Sequence, residues 1–171
     1  SLPGFDFSHE VKEIFPPVDD ALAVEPGRVK VMASCWSPPG WMKQNGSELG
    51  MYNNVKGTLK TSKYQAYANY ITKFIQNYES RGIDIYAITP NNEPDHASYD
   101  WPALPMSHTQ AQTLVADYLR PTLTQNGIDA KILCWDHSYT TTNYREGSYP
   151  LEFYEDADAR NAVDGSAWHW Y

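Results

Sequence analysis

Residues 83–94 read Ile-Asp-Ile-Tyr-Ala-Ile-Thr-Pro-Asn-Asn-Glu-Pro, a short apolar run that leads directly into a polar loop. The run Ile83–Thr89 is rich in β-prone residues and is bounded by turn residues, which predicts a β-strand. Gly82 stands just before the run and is placed to end a helix in the left-handed conformation. The segment therefore predicts a helix end, a strand and a loop in immediate succession.

Three other segments have the same strand-like character, and the residues between them have helical periodicity. The additional predicted strands are Arg28–Ser34, Ala130–Trp135 and Ser166–Tyr171.

The clearest predicted helix follows Ser62, and its apolar side chains recur at the spacing of a single helix face. These side chains are Tyr64, Tyr67, Ala68, Ile71, Phe74, Ile75 and Tyr78. Ser62 and Gln65 fit a capping box at its start. A second helix is predicted from about Ser107 to Asn126, with a kink or break at Pro121 and a stop at Gly127. A third is predicted over Leu151–Arg160.

Strands and helices thus alternate along the chain, which predicts an α/β fold with a parallel sheet. An open doubly wound sheet and a (β/α)8 TIM barrel both satisfy this order. No glycine-rich phosphate loop follows the first predicted strand, so the barrel is favoured. Four strands make about half of a barrel, which needs about 250 residues. We therefore expect an incomplete barrel, with residues 1–171 forming part of one catalytic domain without an internal boundary.

Composition excludes several classes of protein. The chain has 171 residues, of which 14% are aromatic, and this aromatic content argues against disorder. Its net charge of −8 gives no basic patch for nucleic acid. No apolar run approaches the length of a transmembrane helix. The amino-terminal residues lack the pattern of a signal peptide, so they resemble a start inside a longer polypeptide.

The two cysteines, Cys35 and Cys134, are far apart in the sequence and form no Cys-x-x-Cys motif. We expect two small buried side chains, and a disulfide between them remains open. The 5 histidines show no metal-site spacing, so no metal or organic cofactor is predicted.

On a barrel scaffold, functional residues lie where strands end and the following loops begin. The predicted loops at about 36–61 and 90–106 are much longer than ordinary connections, which is typical of a binding cleft. Asp136 and His137 follow the third predicted strand. They either line this cleft or cap the next turn.

Glu93 is the strongest candidate for chemistry, because a carboxylate at the end of a buried strand is costly unless it is used or paired. A carboxyl group between partly apolar walls can stay protonated near neutrality and pass a proton to a leaving oxygen. Asn92 supplies a hydrogen-bond donor and acceptor beside it, and Pro94 restricts the backbone after it. The structural alternative is that Glu93 caps the next helix or pairs with an arginine.

Aromatic residues cluster at strand ends and in the loops that follow, where their faces could stack on sugar rings. We expect about half of them to belong to the core or shell of the barrel. They are Trp36, Trp41, Tyr52, Tyr99, Trp101, Trp135, Tyr139, Trp168, Trp170 and Tyr171. Strand alternation places Trp168 and Trp170 opposite His169 and Tyr171. We expect His169 and Tyr171 to face inward, because their polar tips suit a site.

Three segments in this order resemble glycoside hydrolase family 30, the glucosylceramidase and endo-β-1,6-glucanase family. They are Ala33-Ser-Cys-Trp-Ser-Pro-Pro-Gly-Trp-Met-Lys-Gln-Asn-Gly46, Ile88-Thr-Pro-Asn-Asn-Glu-Pro94 and Ala167-Trp-His-Trp-Tyr171. The resemblance covers about residues 30–171. It implies a (β/α)8 barrel with a small β domain beside it, and hydrolysis with retention of anomeric configuration. The four strands would be the third to sixth of the barrel.

Residue roles also follow from this resemblance. It implies that Glu93 is the general acid/base, that Asn92 binds the sugar 2-hydroxyl and that Trp36 lines the glucose subsite. His169 and Tyr171 match a His-x-Tyr pair beside the nucleophile. That nucleophile is a glutamate after the seventh strand, which would lie downstream of Tyr171.

The chain departs from the family pattern in three respects. The acids after Glu93 that we considered, Glu146, Glu152 and Glu155, lack the context of the nucleophile. Cys35 stands where proline is commoner, which should matter little to the chemistry. Asn91 stands where glutamine is commoner, which keeps the amide but shortens the side chain.

The sequence therefore predicts a retaining hydrolase of β-glucosidic linkages in β-1,6-glucan or a glucosylceramide-like lipid. The isolated chain is expected to be inactive, and an extracellular location is expected. One alternative is a non-catalytic carbohydrate-binding half barrel. A Rossmann-type enzyme is disfavoured, because no Gly-x-Gly-x-x-Gly motif is present. The sequence does not indicate an oligomeric state.

Overall fold

The computed structural model describes residue 2 and residues 4–139 and 148–171. Its centre is a parallel sheet of four strands, which are β1 (Val31–Ser34), β4 (Ile85–Thr89), β5 (Lys131–Ser138) and β6 (Gly165–His169). They lie across the sheet in the order β1, β4, β5 and β6. All four predicted strands are confirmed, although β5 continues three residues beyond the predicted end and β6 stops two residues before it.

The strand order distinguishes between the two predicted architectures. Each strand pairs in parallel with the next long strand along the chain, so the order contains no reversal. A doubly wound sheet reverses its strand order at a switch point, whereas a barrel continues in one direction. The sheet is therefore an incomplete (β/α)8 barrel, as predicted.

The six α-helices of the described residues are α1 (Phe15–Val24), α2 (Tyr64–Glu79), α3 (His108–Thr113), α4 (Arg120–Gln125), α5 (Ser148–Glu155) and α6 (Ala157–Ala162). Helix α1, with a π-helical turn before it (Glu10–Ile14), was not predicted. Phe15 is buried and meets the Tyr78 ring edge-on at 4.8 Å, so this contact joins α1 to α2.

Helix α2 carries the predicted apolar face and ends as predicted, with Gly82 at φ 80°. The capping box predicted for Ser62 and Gln65 was wrong. A 3₁₀ turn over Thr61–Lys63 precedes the helix, so α2 begins at Tyr64 without a side-chain cap. The Gln65 amide instead donates to the Thr122 hydroxyl at 2.9 Å, and this bond joins α2 to α4.

The second predicted helix is confirmed over its whole length, with Ser107 as its N-cap in a true capping box and Gly127 at φ 69° after its end. Its hydrogen-bond register changes in the middle, where Leu114–Leu119 is π-helical. Pro121 follows in the first turn of α4. Because the proline has no N–H to donate, the α-helical hydrogen-bond pattern cannot pass through it unchanged. The helix changes its hydrogen-bond register there and continues.

The prediction of a single helix over Leu151–Arg160 was wrong, because two helices, α5 and α6, cover this segment. Asp156 has extended backbone angles and separates α5 from α6. Its carboxylate accepts a hydrogen bond from the Ala159 N–H at 2.8 Å. Aspartate is a good N-cap because its side chain pairs a donor that the helix leaves unsatisfied, so Asp156 starts a new helix.

The loop after β1 is ordered around a buried lysine. Its short antiparallel hairpin is formed by β2 (Met51–Tyr52) and β3 (Val55–Lys56). Lys43 is completely buried, and its ammonium group lies 2.6–2.9 Å from four oxygen atoms. These are the Ser37 hydroxyl and the carbonyls of Glu48, Leu49 and Ala103. Lys43 thereby joins the loop after β1 to the loop after β4.

The same two loops approach closely at Gly50, whose position has no room for a side chain. A Cβ atom there would lie 2.5 Å from the Ser98 backbone nitrogen. Gly50→Ala is expected to destabilise the protein by about 1–3 kcal/mol, because the two backbones must separate. Thermal unfolding would measure this loss. Gly165→Ala is the control, since its Cβ would make an ordinary 3.5 Å contact with Leu133. Equal midpoints for the two variants would contradict the expectation.

Both cysteines are free, Cys134 buried and Cys35 half-buried, so the disulfide left open by the sequence is not formed. Within the described residues, no helix is both long enough and apolar enough to cross a membrane.

Candidate active site

One polar side chain from each strand of the sheet meets at the carboxyl ends of the strands. Ser34 and Thr89 are paired across β1 and β4, and their hydroxyls each donate to Asp136 Oδ2 at 2.6 Å. Asp136 Oδ1 lies 3.1 Å from His169 Nε2. We call Ser34, Thr89, Asp136 and His169 the strand-end network. It connects all four strands at the face where barrel enzymes place their chemistry.

Glu93 is held next to this network by its backbone. Its N–H donates to the Asp136 carbonyl at 3.1 Å, and its own carbonyl accepts from the His96 N–H at 2.9 Å. Its φ of 45° is in the left-handed region, which is uncommon for a residue other than glycine. Such a conformation persists only where the surrounding structure enforces it, and it is frequent at functional sites.

The Glu93 carboxylate is bound from one side by the end of β6. The Tyr171 hydroxyl donates to Glu93 Oε1 at 2.7 Å, and His169 Nδ1 lies 3.2 Å from the same oxygen. The hydrogen bond to Glu93 raises the pKa of the Tyr171 phenol to about 12. The phenol therefore keeps its proton, and remains a hydrogen-bond donor, throughout the physiological pH range. The Glu93 side chain is 16% exposed, so it is largely enclosed but still open to a ligand.

The structure also tests the structural alternative for Glu93, that it caps the next helix or pairs with an arginine. Helix α3 is capped by Ser107 rather than by Glu93. Within the described residues, the ion pairs of Glu93 involve His169 and no arginine. Helix capping and arginine pairing therefore both fail to account for the position of Glu93.

The other predicted binding residues have different surroundings. The Asn92 N–H donates to the Cys35 carbonyl at 2.8 Å. No partner for the Asn92 side chain is found in the described part of the chain. Trp36 is half exposed and lines a cavity of about 810 Å³ with Ser34 and Thr89. Glu93 is not among the residues that line this cavity.

The strand-end aromatic residues are mostly exposed. Trp135 is the single member of the predicted group of ten that is buried in the described part of the chain. The expectation that about half belong to the core or shell of the complete barrel stays a prediction. Trp168 stacks on Tyr139 with ring centroids 5.1 Å apart, whereas its neighbour His169 turns to Glu93.

Sequence reasoning missed Ser34 and Thr89 and left Asp136 open between two roles. Its carboxylate neither caps a turn nor points outward, but pairs with three other strand ends. The available signal was that Ser34, Thr89 and Asp136 all stand near the carboxyl ends of predicted strands. Glu152 lies 3.3 Å from His108 in a separate ion pair, and Glu146 lies outside the described residues. No cluster that could hold a metal ion is found within the described ranges.

Comparisons with known proteins agree with this architecture. The model of the glycosyl hydrolase family 30 TIM-barrel domain matches residues 2–171. Endo-1,6-β-D-glucanase neg1 of Aspergillus fumigatus is 31% identical over 180 residues, which cover all of this chain and 35% of that protein. Lysosomal acid glucosylceramidase of Mus musculus is 29% identical over 174 residues, again all of this chain and 32% of that protein. The chain thus spans about a third of the length of these curated relatives.

Solved structures give the same result in three dimensions. The endo-β1,6-glucanase BT3312 superposes with a TM-score of 0.83 at 34% identity, covering 96% of this chain and 37% of that one. SrfJ from Salmonella typhimurium also gives a TM-score of 0.83, at 30% identity, covering 98% of this chain and 35% of that one. The four parallel strands are therefore part of a TIM-barrel domain, and this chain spans about a third of the matching proteins' length.

Proposed function

Because the chain belongs to the glycosyl hydrolase family 30 TIM-barrel domains, we propose that the complete polypeptide hydrolyses β-glucosidic linkages with retention, using Glu93 as the general acid/base. The observation that carries this proposal is the placement of Glu93. Its carboxylate lies at the carboxyl end of the sheet, with one oxygen bound by Tyr171 and His169. This arrangement holds the carboxyl group in one orientation without consuming its second oxygen.

The proposed reaction has two steps, and Glu93 acts in both. In the first, Glu93 gives its proton to the glycosidic oxygen as a carboxylate nucleophile attacks the anomeric carbon. In the second, the Glu93 carboxylate takes a proton from water, which then displaces the nucleophile from the sugar. Tyr171 and His169 keep Oε1 in place, so proton transfer is assigned to Oε2.

Retention requires a second carboxyl group about 5–5.5 Å from the first. Asp136 is connected to Glu93 through His169, but its two oxygens are occupied by Ser34, Thr89 and His169. We therefore assign the nucleophile to a glutamate downstream of Tyr171, in agreement with the family resemblance. On this proposal the 171-residue chain is inactive alone.

The substrate that we propose is β-1,6-glucan, because two of the similar proteins bear the name of endo-1,6-β-glucanases. Glucosylceramide is the second candidate, supported by the glucosylceramidase among the relatives. Asn92 is proposed to bind the 2-hydroxyl of the sugar, and Trp36 to form a wall of the glucose subsite. We also propose an extracellular location and chemistry without a cofactor.

The alternative function is carbohydrate binding without catalysis. Exposed rings at the strand ends, such as those of Trp36, Tyr139 and Trp168, could hold a sugar even in the absence of a nucleophile. This alternative applies to the chain by itself, and it predicts binding without release of any product.

The complete polypeptide is expected to release the β anomer first from β-1,6-glucan. Proton NMR during the first minutes of hydrolysis would measure this before mutarotation mixes the anomers. The α-1,6-linked glucan dextran is the matched control, and it should remain intact. Initial release of the α anomer would exclude retention. Hydrolysis of glucosylceramide but not of the glucan would select the second substrate, and binding without hydrolysis would select the alternative function.

A further inference from the structure

We propose that Asp136 is a positioning residue for Glu93, which it orients through His169. The inference rests on the proposed function, because it assigns a task to the strand-end network in the same site. Asp136 does not contact the reacting atoms in this proposal. It keeps a proton on His169 Nε2 and fixes where the imidazole ring stands, and the ring in turn determines the place of Tyr171 and Glu93.

The backbone at Asp136 is built to present its side chain. The register of β5 against β6 shifts between Trp135 and His137, so Asp136 is the extra residue of a bulge. Trp135 and Asp136 have φ values of 74° and 50°, both in the left-handed region. Bulges redirect side chains and are frequent next to active sites. Two consecutive residues in this strained conformation persist only where the surrounding structure enforces it, and such strain is frequent at functional sites. The strain therefore supports a functional role for the position of this carboxylate.

The surroundings of Asp136 then restrict the carboxylate to one orientation. Its side chain is 12% exposed, and Ser34 and Thr89 both donate to Oδ2 at 2.6 Å. A buried charge is costly unless it is paired, and here two hydroxyls and an imidazole provide the pairing. With Oδ2 occupied, Oδ1 is directed at His169 Nε2, 3.1 Å away.

This contact determines how His169 is protonated. A carboxylate only accepts hydrogen bonds, so Nε2 must carry the proton that lies between His169 and Asp136. His169 Nδ1 then faces the Tyr171 hydroxyl at 2.8 Å and Glu93 Oε1 at 3.2 Å. Because the Tyr171 hydroxyl gives its one proton to Glu93 Oε1, Nδ1 can bind the Tyr171 and Glu93 oxygens only as a donor. With Nε2 donating to Asp136 and Nδ1 donating on the other side of the ring, the series Asp136, His169, Tyr171 and Glu93 is continuous, and each member restricts the next.

A nucleophile or a purely structural residue at position 136 would behave differently from a positioning residue. If Asp136 were the nucleophile, its loss would abolish turnover whatever the leaving group. If it served only folding, its loss would reduce stability and lower all activities equally. A positioning residue affects only the proton transfers of Glu93. Because kcat/KM reports the first step, it should fall only where the leaving group needs a proton.

The kinetic test uses the complete polypeptide and its Asp136→Asn variant, with Asp129→Asn as the exposed matched control. The substrates are 2,4-dinitrophenyl β-glucoside, whose leaving group needs no proton, and methyl β-glucoside, whose leaving group needs one. We expect Asp136→Asn to lower kcat/KM for the methyl glucoside by on the order of 100-fold. For the dinitrophenyl glucoside it should fall less than about threefold, because no proton is donated there. Asp129→Asn should change neither. Equal losses on both substrates, or no loss on either, would overturn the proposal.

A second measurement does not depend on activity. Nitrogen-15 NMR of labelled histidine reports which ring nitrogen carries a proton, and His169→Gln identifies the His169 signals. The wild-type polypeptide is expected to show Nε2 protonated, and Asp136→Ala should change that pattern while the other four histidines of residues 1–171 keep theirs. Unchanged His169 signals would overturn the proposal. If no β-glucoside is cleaved at all, the proposed function fails, yet this measurement still decides whether Asp136 orients His169.

Discussion

Replacement of Glu93 by glutamine in the complete polypeptide is expected to lower kcat/KM on β-1,6-glucan by about 10²- to 10⁴-fold, the usual contribution of a general acid/base. Glutamine keeps the size of the side chain and its carbonyl oxygen, so the hydrogen bond from Tyr171 to Oε1 can remain. The amide cannot supply the proton to a glycosidic oxygen. The loss should therefore appear in turnover and not in folding. Initial rates and a thermal unfolding curve for the same preparation would separate the two.

The matched control is Glu155→Gln, an exposed glutamate at the end of α5. It changes the charge by the same amount and is expected to leave the rate unchanged.

A smaller substitution, Glu93→Ala, allows a second test, in which added azide forms a new product. Azide needs no general base, so it should displace the nucleophile from the sugar and form a β-glucosyl azide from dinitrophenyl β-glucoside. Full activity of Glu93→Gln, or an α-glucosyl azide from Glu93→Ala, would be incompatible with the assignment.

Replacement of Lys43 by methionine is expected to destabilise the protein by about 1–3 kcal/mol, the usual cost of leaving a buried hydrogen-bonding group without its partner. Methionine matches the lysine side chain as far as Cε and fits the same buried space, but it lacks the ammonium group and donates no hydrogen bond. The carbonyls of Glu48 and Leu49 keep other donors, from the Ala103 N–H and the Asn45 amide. The Ala103 carbonyl loses the 2.6 Å contact with the ammonium group, and the two long loops lose their connection.

Chemical denaturation of the complete polypeptide would measure this loss. Lys56→Met is the matched control, because Lys56 belongs to the exposed hairpin strand β3 of the same loop. It should change the free energy of unfolding by less than about 0.5 kcal/mol. If Lys43→Met unfolds at the same denaturant concentration as Lys56→Met, then the buried ammonium group does not hold the loops together.

Local signals were sufficient for the elements of the sheet and for the main candidate residue. Short β-prone runs bounded by turn residues located all four strands, and the position of Glu93 just after one of them singled it out. Glycines at the ends of α2 and α4 were also informative, because a left-handed residue is a local requirement. Such features depend on a few neighbouring residues, so they can be read in order along the chain.

Errors arose where distant groups compete for the same atoms. Gln65 could have closed a capping box, but its amide reaches Thr122, which is 57 positions away. Asp156 was expected inside a helix, and its side chain instead starts a new one. Helix α1 gave too weak a local pattern, and it is packed through the contact of Phe15 with Tyr78.

The parallel alternation of strands and helices, the barrel-type face and the candidacy of Glu93 could be inferred from residue order alone. The strand-end network could not. Ser34, Thr89, Asp136 and His169 come from four different strands, and the partner of each depends on the register of the sheet. A single bulge at Asp136 turns its carboxylate to the other three. Residue types specify which groups can hydrogen-bond, but only the pairing of the four strands brings those groups within 2.6–3.1 Å of one another.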